Sequence, residues 1–453
     1  MPRSLELLAV PTGPALLDLL PRLANALAGD GPALLPVPAA DPRTADVIAR
    51  ALAAGTPLGA GEDADDDPTA FVVATSGSTG TPKGALLPAS ALLASARATR
   101  TFLVGDETRP AHWMLALPAQ HVAGLQVLQR SLVEGTTPTV MDTSSTFTAA
   151  RFAVAARETP GPVRFVSLVP TQLQRVLADP EATAALTGFD AVLIGGAPAP
   201  PALLARAAVA GVRVVTTYGM SETCGGCLYD GRPLDGVTVT TDRSGRINLA
   251  GAVVARGYRG RPDDPAFDVD DAGRRRFRTD DIGELTEHDQ AGHDQSGHDQ
   301  AGHDRAGGLQ ARNDQAGDRP PGRWRVLGRI DDVLITGGVK VVPAAVEATL
   351  SALPGVAEAV LTGVPDTEWG RRLVAVIVPT SGAAPGAARP DPAALREAVH
   401  AAHGPAATPR VVVLTNALPL RGPGKPDRAA IQRLAQNALA RHPGPTVDLR
   451  TSG

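Results

Sequence analysis

A loop rich in Gly, Ser and Thr contains the residue types best suited to chemistry in this 453-residue chain, and it reads Thr75-Ser76-Gly77-Ser78-Thr79-Gly80-Thr81-Pro82-Lys83-Gly84. The backbone amides and hydroxyls of such a loop can surround a polyphosphate, to which the Lys83 ammonium adds a positive charge. Its spacing is not that of a Walker A loop. A flexible linker is disfavoured because an apolar run (71–74) precedes the loop and an Ala-rich helical segment (90–97) follows it. The loop therefore predicts a phosphate-binding site.

A second group of reactive side chains follows the apolar run 212–217. Tyr218 offers an aromatic plane that could stack on adenine, Ser221 a hydroxyl for a phosphate, and Glu222 a carboxylate of the kind that binds Mg²⁺. We expect these side chains at the carboxyl end of a strand, where open α/β sheets bind their ligands. An earlier apolar run leads into the turn Gly195-Gly196-Ala197, at which backbone can approach a flat ligand closely.

The segment after the apolar run 113–118 contains two polar side chains, His121 and Arg130, for which structural and functional roles are both open. His121 stands where a strand passes into a helix, a position at which a structural role is the ordinary alternative. Arg130 lies on the helix predicted over 125–134, which is otherwise mostly apolar. An arginine there commonly extends along the surface to water. If its guanidinium instead faces a pocket, its planar fork can bind a carboxylate through two hydrogen bonds.

Composition excludes several classes of function. The net charge is −4, with 43 basic and 47 acidic residues, which indicates no surface for nucleic acid or for a charged membrane. No apolar run is long enough to cross a bilayer, and the first residues lack the apolar stretch of a signal peptide. We therefore expect a cytoplasmic protein, and the sequence leaves open whether it forms a homo-oligomer.

The elements that must position these residues are those of an α/β protein with two domains. Helical patterns at about 14–28 and 43–54 alternate with a short apolar strand near 33–37, and further apolar strands precede the candidate sites. We predict a large multi-layer α/β domain over 1–329 and a small α+β domain over 330–453.

Three segments of unusual composition receive structural interpretations. The acidic run 62–67 predicts an exposed loop. The His-Asp-Gln-Ala-Gly repeat, at about 287–319, is too short in period and too polar to form a core, so we interpret it as a disordered insertion rather than a metal site. Cys224 and Cys227 are spaced like a redox pair or half of a zinc site, but two small residues in a tight Gly turn are the favoured interpretation.

Five motifs, in this order along the chain, resemble those of the adenylate-forming superfamily of acyl-CoA ligases, luciferases and peptide-synthetase adenylation domains. They are the loop 75–84, then Thr217 to Thr223, then Arg278-Thr279-Asp280-Asp281, then Arg329 to Lys340, and finally Pro419 to Lys425. One departure is Asp280, where the superfamily usually has Gly. The resemblance implies a large α/β N-terminal domain and a small mobile C-terminal domain that rotates about a hinge at Asp331.

The resemblance also implies a role for each matching residue. Lys83, Glu222 and Lys425 are expected to act in catalysis, with Glu222 holding Mg²⁺, while His121 and Arg130 are expected to contact the acyl substrate. The nucleotide-binding and coenzyme-binding positions that it implies are Thr75, Ser76, Gly77, Ser78, Thr79, Gly80, Gly196, Ala197, Tyr218, Gly219, Ser221, Asp281, Arg329 and Lys340.

These roles imply an acid:CoA ligase that uses ATP, Mg²⁺ and coenzyme A. The acid would form an acyl-adenylate with loss of pyrophosphate, and coenzyme A would then take the acyl group as a thioester. The short region ahead of the phosphate loop, together with His121 and Arg130, resembles the group of ligases that act on o-succinylbenzoate in menaquinone biosynthesis. The second carboxylate of that acid could pair with Arg130.

Three alternatives remain at the level of the sequence. The chain could ligate another aryl or short acyl acid, which would keep all five motifs but should not need Arg130. It could be a free-standing adenylation domain that loads a carrier protein. It could also be a binding protein with an inactive site, although Lys83, Glu222 and Lys425 are intact.

Overall fold

The computed structural model describes residues 3–75, 82–105, 108–144, 146–286, 322–380, 390–421, 425–442 and 444–450. The loop residues 76–80 and the insertion predicted at 287–319 lie outside this part. The chain divides into two compact units. The large unit comprises Met1–Ala199, Leu203–Thr279 and Leu285–Trp324, and the small unit comprises Pro200–Ala202, Asp280–Glu284 and Arg325–Gly453. The predicted domain boundary at 329/330 stays a prediction.

Strands and helices alternate over the first half of the chain, as the apolar runs predict. The strands are β1 Leu5–Val10, β2 Ala33–Pro38, β3 Thr69–Thr75, β4 Lys83–Pro88, β5 Ala111–Leu115, β6 Thr139–Val140, β7 Val163–Leu168, β8 Ala191–Ile194 and β9 Val214–Met220. The helices are α1 Leu20–Ala28, α2 Pro42–Ala51, α3 Ala89–Val104, α4 Val122–Glu134, α5 Ala149–Glu158, α6 Pro170–Val176, α7 Pro180–Leu186 and α8 Pro201–Val209.

A run of strands follows, and the described residues between them contain no α-helix. It consists of β10 Gly225–Tyr229, β11 Arg232–Pro233, β12 Val237–Thr241, β13 Arg246–Gly251, β14 Gly257–Tyr258, β15 Phe267–Val269, β16 Arg275–Thr286 and β17 Arg323–Arg329. The chain passes from the large to the small unit along β16 and β17. In this region β12, β13, β16 and β15 form one sheet in that order, and β17 pairs with β16.

The largest sheet carries the strands that lead to the candidate site. Its order is β11-β10-β9-β8-β7-β5-β6, and the strands from β9 to β6 run parallel to one another. β10 runs antiparallel to β9, and β11 runs antiparallel to β10. Met114, Val166 and Val192, in the neighbouring strands β5, β7 and β8, are fully buried. A parallel sheet is covered on both faces, which explains why these strands appear in the sequence as nearly continuous apolar runs.

A second sheet holds the ends of the phosphate loop. Its order is β1-β2-β3-β4-β14, with β1 to β3 parallel and the last two strands antiparallel to their neighbours. The loop joins β3 to β4, where Thr75 pairs with Lys83. The strand that precedes the loop is confirmed, but β4 lies between the loop and the helix. That helix, α3, begins at Ala89.

The small unit is an α+β structure, as predicted. Its strands are β18 Leu334–Thr336, β19 Val339–Val341, β20 Val356–Asp366, β21 Gly370–Pro379, β22 Val411–Leu414, β23 Leu420–Arg421, β24 Lys425–Pro426 and β25 Thr446–Asp448. Its helices are α9 Pro343–Ser351, α10 Pro392–His403 and α11 Arg428–Arg441. The sheet β20-β21-β22-β25 has an apolar core on each face, because Ala375 and Ile377 of β21 pack towards α9 and α10 while Val374 and Val376 pack towards α11.

The prediction of an exposed loop over the acidic run 62–67 was wrong for both ends of the run, Glu62 and Asp67. The Glu62 carboxylate is buried and accepts hydrogen bonds from the amides of Gly59 (2.6 Å) and Gly260 (2.5 Å), and it pairs with the Arg259 guanidinium. Burial alone would raise the pKa of Glu62, but these three hydrogen bonds outweigh it and lower the pKa below its ordinary value.

The other end of the same run also binds distant arginines. Asp67 lies 3.1 Å from a guanidinium nitrogen of Arg275 and 3.5 Å from one of Arg256, and it accepts a hydrogen bond from the amide of Ser90 in the first turn of α3. Of the run, only Asp65 and Asp66 are exposed. The prediction failed because the three arginine partners of Glu62 and Asp67 stand about 200 residues later in the chain.

Among the described helices, none is both long enough and apolar enough to span a membrane.

We expect the Glu62→Gln variant to be less stable than the wild type by about 3 kcal/mol at neutral pH, because it leaves a buried guanidinium without its charge partner. Since folding lowers the pKa of Glu62, its contribution is complete above its ordinary value of 4.5 and is lost as the pH falls through the folded value. The difference between the two proteins in urea unfolding should therefore shrink below about pH 4.5.

Asp65→Asn provides the matched control, since it removes an exposed carboxylate of the same run. Its unfolding free energy should stay within about 0.5 kcal/mol of the wild type. Equal effects of the two substitutions would contradict a structural role for the Glu62 pair.

Candidate active site

Neighbouring parallel strands bring two predicted nucleotide-binding turns together. The Gly196 turn follows β8, and Tyr218 lies near the end of β9. The Thr217 hydroxyl donates a hydrogen bond to the Ile194 carbonyl across the two strands, at 3.3 Å. A Cβ atom on Gly195 would lie 2.3 Å from that hydroxyl, so glycine is required for this approach. The sequence predicted both turns, and the sheet register explains why they are adjacent.

Ser221 and Glu222 lie in the turn that joins β9 to β10. The two strands approach so closely that a Cβ atom on Gly219 would lie 1.9 Å from the Gly225 carbonyl oxygen. The backbone carbonyl of Glu222 accepts a hydrogen bond from Ala255 at 2.8 Å, and its side chain is only 7% exposed. The close approach of β10 and the hydrogen bond from Ala255 together fix this turn, which contacts β9 of the largest sheet and β3 and β4 of the second sheet.

Tyr258 connects this carboxylate to the lysine of the phosphate loop. Its hydroxyl donates a hydrogen bond to Glu222 Oε1 at 2.6 Å, and the Lys83 Nζ atom lies 4.6 Å from the centre of its ring. The Lys83 ammonium also lies 3.5 Å from a carboxylate oxygen of Asp264. The structure thus places Lys83 and Glu222 against the same tyrosine, and their action on a phosphate group stays a prediction.

Arg130 is buried, contrary to the common surface position of an arginine on such a helix. It is 4% exposed, and its guanidinium donates hydrogen bonds to Gln126 Oε1 (2.6 Å), the Tyr229 hydroxyl (3.1 Å) and Thr99 Oγ1 (3.2 Å). Its central carbon lies 4.9 Å from the ring centre of Trp113. Its Nε atom has no hydrogen-bond partner, and no carboxylate pairs with it among the described residues.

The Cys-Gly-Gly-Cys segment serves this same network. Gln126 of α4 donates to the Cys224 carbonyl, and a Cβ atom on Gly225 would lie 2.3 Å from its amide oxygen. A Cβ atom on Gly226 would lie 2.6 Å from the Tyr229 ring. Neither cysteine forms a disulfide, both side chains are buried, and burial raises the pKa of Cys224. The glycines permit close packing, and the interpretation of the cysteines as small residues in a Gly-rich turn fits this arrangement.

His121 occupies a different environment from Arg130. It is exposed and immediately precedes α4, whereas Arg130 lies more than two turns further along the same helix. Both were predicted as substrate contacts. The structure therefore places one at the outer end of α4 and the other inside the large unit.

The small unit gathers a second set of predicted residues. The Arg329 guanidinium donates to both carboxylate oxygens of Asp331 (2.8 and 3.0 Å) and lies 4.0 Å from a carboxylate oxygen of Asp281. The Asp331 hydrogen bonds raise the pKa of Arg329 despite its partial burial. The exposed Lys340 lies on β19, and the backbone of Lys425 pairs with Arg421 in a short hairpin. Asp281 and Arg329, both predicted to contact ribose, are thus neighbours.

Several residues of these networks were not predicted from the sequence. They are Tyr258 and Asp264 beside the phosphate loop, and Gln126 and Tyr229 beside Arg130. The rarity of tyrosine is one sequence signal that could have pointed to two of them. The chain contains only three tyrosines, and two of these are Tyr229 and Tyr258. In a chain so poor in aromatic residues, a buried tyrosine with a bonded hydroxyl indicates a specific need for that hydroxyl.

The residues beside Lys83 are suitable for magnesium bound together with phosphates. Within the described ranges, no group of three or more His, Cys, Asp and Glu side chains forms a site by itself. Magnesium, however, is usually held by one or two carboxylates together with substrate phosphates and water. Glu222 supplies a buried carboxylate fixed by Tyr258, so the side chains fit a magnesium ion that arrives with a nucleotide.

The chain matches two family models and is similar to known sequences. The family model "AMP-binding enzyme" matches residues 23–285, and the model "AMP-binding enzyme C-terminal domain" matches residues 345–425. A protein of Mycobacterium tuberculosis (strain H37Rv), named probable 2-succinylbenzoate–CoA ligase, is 41% identical over 426 residues, which cover 94% of this chain and 97% of that protein. 2-Succinylbenzoate is o-succinylbenzoate.

Solved structures share the fold. The o-succinylbenzoate CoA synthetase of Bacillus subtilis, in complex with the acyl-adenylate intermediate, has a TM-score of 0.65 at 21% identity over 95% of this chain and 88% of that one. The same enzyme with ATP and a magnesium ion has a TM-score of 0.59 at 25% identity, over 80% and 70% of the two chains. Both have the large α/β and small α+β arrangement found here.

We expect the two thiols to be unreactive in the folded protein, because both are buried and burial raises the pKa of Cys224. With an aromatic disulfide reagent at pH 8, the native chain should release almost no thiolate, and the chain unfolded in guanidinium should release two equivalents. Rapid reaction of either cysteine without unfolding would instead indicate a redox-active pair.

Proposed function

The chain belongs to the AMP-binding enzyme family, and we propose that it is an ATP-dependent ligase that joins 2-succinylbenzoate to coenzyme A. The observation that carries the choice of acid is the buried Arg130, whose partners among the described residues are all uncharged. The relative from Mycobacterium tuberculosis, which matches almost the whole chain, supports the same choice. The reaction would serve menaquinone biosynthesis, in the cytoplasm.

The proposed reaction has two steps. A carboxylate oxygen of the acid bonds to the α-phosphorus of ATP, and the bond from that phosphorus to the bridging oxygen of pyrophosphate breaks. The sulfur of coenzyme A then bonds to the acyl carbon, AMP leaves with the carboxylate oxygen, and the thiol proton passes to solvent. The first step gathers negative charge on the phosphates, so the site must supply fixed positive charge there.

Three residues are proposed to supply or hold that charge. Lys83 begins β4 at the end of the phosphate loop, and Lys425 lies on the β23–β24 hairpin. Glu222 would hold the magnesium ion, which supplies Lewis-acid stabilisation of the phosphate oxygens when bound. The composition supports the two lysines, because the chain contains only three among its 43 basic residues, at 83, 340 and 425. All three stand in motifs, where arginine would not replace a compact ammonium.

The nucleotide would lie along the strand ends of the large unit. Tyr218 is proposed to stack on adenine beside Gly196 and Ala197, and Gly219 and Ser221 would approach the α-phosphate. Asp281 and Arg329 are proposed to contact the ribose hydroxyls, and their mutual distance of 4.0 Å suits a shared ligand. The loop residues from Thr75 to Gly80 would surround the outer phosphates.

Arg130 supplies the physical argument for a second carboxylate on the acid. Removing a guanidinium from water costs several kcal/mol unless an anion and hydrogen bonds compensate. Gln126, Tyr229 and Thr99 provide hydrogen bonds but no negative charge. The carboxylate of 2-succinylbenzoate that is not activated would provide that charge, whereas a fatty acid would not. His121, exposed ahead of α4, is proposed to line the entrance for the acyl group and the pantetheine arm.

The small unit is proposed to act in both steps by rotation about Asp331. In one position Lys425 would neutralise the α-phosphate, and in the other the segment from Gly337 to Lys340 would approach coenzyme A. Such a rotation is a hinge motion in which a few residues absorb the change of backbone angles. The Asp331 carboxylate, bonded to Arg329 in this structure, would exchange that partner as the hinge turns.

Pyrophosphate release with ATP, magnesium, coenzyme A and 2-succinylbenzoate tests the function, with benzoate and a medium-chain fatty acid as competing acids. We expect strong preference for 2-succinylbenzoate. Arg130→Ala should lower kcat/KM for it about 100-fold, which corresponds to about 2.7 kcal/mol, since the second carboxylate loses its cation. Activity with benzoate should change far less, because benzoate has no such carboxylate.

Arg97→Ala is the matched control, because Arg97 is an exposed residue on α3. It should leave kcat/KM for each acid within about twofold of the wild type. Equal use of benzoate by the wild type would refute the choice of acid. An unchanged Arg130→Ala variant would refute the contact with the carboxylate, while the adenylation chemistry would stand.

Separate assays of the two steps test the division of labour between Lys425 and Lys340. Lys425→Ala should lower pyrophosphate release about 100-fold or more, since one charge on the developing transition state is lost. It should retain thioester formation from synthetic acyl-adenylate and coenzyme A. Lys340→Ala should show the reverse pattern. Equal losses in both steps for either variant would contradict the proposed rotation.

A further inference from the structure

Tyr258 is in contact with two residues of the proposed phosphate site, although it belongs to none of the five sequence motifs. It is 5% exposed, and its hydroxyl lies 2.6 Å from Glu222 Oε1. The Lys83 ammonium lies over the face of its ring, 4.6 Å from the centre. The ring of Phe267 meets it edge to face, with centres 5.0 Å apart. One side chain thus contacts a cationic and an anionic group at the same time.

The position of Tyr258 is set by the fold around it. The two residues of β14 pair with β4, and Tyr258 lies opposite Ala85, two residues after Lys83. On either side of β14, Arg256 binds the Asp67 segment, and Arg259 binds Glu62. The phenol ring is therefore held by backbone pairing and by two ion pairs before any nucleotide binds.

We propose that Tyr258 is a positioning residue, which orients the Glu222 carboxylate towards magnesium and holds the Lys83 ammonium beside it. The proposal rests on the proposed function, since it assumes that ATP and magnesium bind at this site. It concerns only the nucleotide and the metal, and it does not depend on which acid the enzyme activates.

Each contact has a distinct physical effect. A hydroxyl that donates to one carboxylate oxygen fixes the rotation of the carboxylate and so directs its other oxygen. Partners of this kind typically change metal affinity by 10- to 100-fold when they are removed. The electron-rich face of the ring attracts an ammonium, which limits the positions that the Lys83 side chain occupies. Tyr258→Phe removes the first effect and keeps the second.

Calorimetric titration of the full-length protein with ATP tests the proposal, once with excess magnesium and once with a chelator. For Tyr258→Phe we expect the Kd of magnesium-ATP to rise about 10-fold or more, while the Kd of metal-free ATP stays within about twofold. Equal weakening of both forms, or no change in either, would overturn the positioning role. If the wild type binds magnesium-ATP but does not turn over 2-succinylbenzoate, only the proposed choice of acid is refuted.

Tyr229→Phe is the matched comparison, since it also removes one buried tyrosine hydroxyl, but the one that contacts Arg130. It should raise KM for 2-succinylbenzoate and leave the Kd of magnesium-ATP unchanged.

A double-mutant cycle distinguishes an effect of Tyr258 through Glu222 from a general loss of packing. If Tyr258 acts through Glu222, Tyr258→Phe should have no further effect on the Kd of magnesium-ATP in a Glu222→Gln background. A full additional loss in that background would also overturn the proposal.

Discussion

The ion pairs between the acidic run 62–67 and the arginines that flank β14 are the interactions on which the phosphate side of the site depends. β14 has only two residues, and so short a strand gains little stability from pairing alone. Arg256 and Arg259 attach it to the segment just before β3 of the same sheet. Because Tyr258 lies between these two arginines, the position of a side chain that contacts the phosphate-loop lysine is determined by charges that bind no ligand.

The acid side of the site depends on a different constraint, which is the need to satisfy buried polar groups. Arg130 and Gln126 are both inside the large unit, and each unpaired donor there would cost free energy. Gly225 leaves room for the Gln126 amide, which bonds to the Cys224 carbonyl, and Gly226 leaves room for the Tyr229 ring. Arg130 Nε is among the buried polar atoms that the described residues leave without a partner, and it belongs to the same guanidinium for which we propose a carboxylate.

Local sequence signals predicted the central strands and the residues at their ends, because a parallel sheet buried on both faces leaves continuous apolar runs such as 113–118 and 191–194. The same signals failed for 62–67, which has the composition of a solvated loop but pairs with arginines about 200 residues away. Tyr258 was missed for the same reason, since nothing near it in sequence indicates Glu222 or Lys83. Contacts made by single side chains over long separations leave no periodic pattern.

The β9–β10 hairpin is where the two sides of the site meet. Glu222 lies in its turn, Gln126 bonds to the Cys224 carbonyl just beyond, and Tyr229 at its end bonds to Arg130. Both networks are therefore anchored on the same hairpin, one at its turn and the other at the end of β10. Glycines at 219, 225 and 226 make this hairpin narrow enough to touch both networks, and no larger residue would leave room for them. Recognition of the acid and binding of the nucleotide thus share one rigid element.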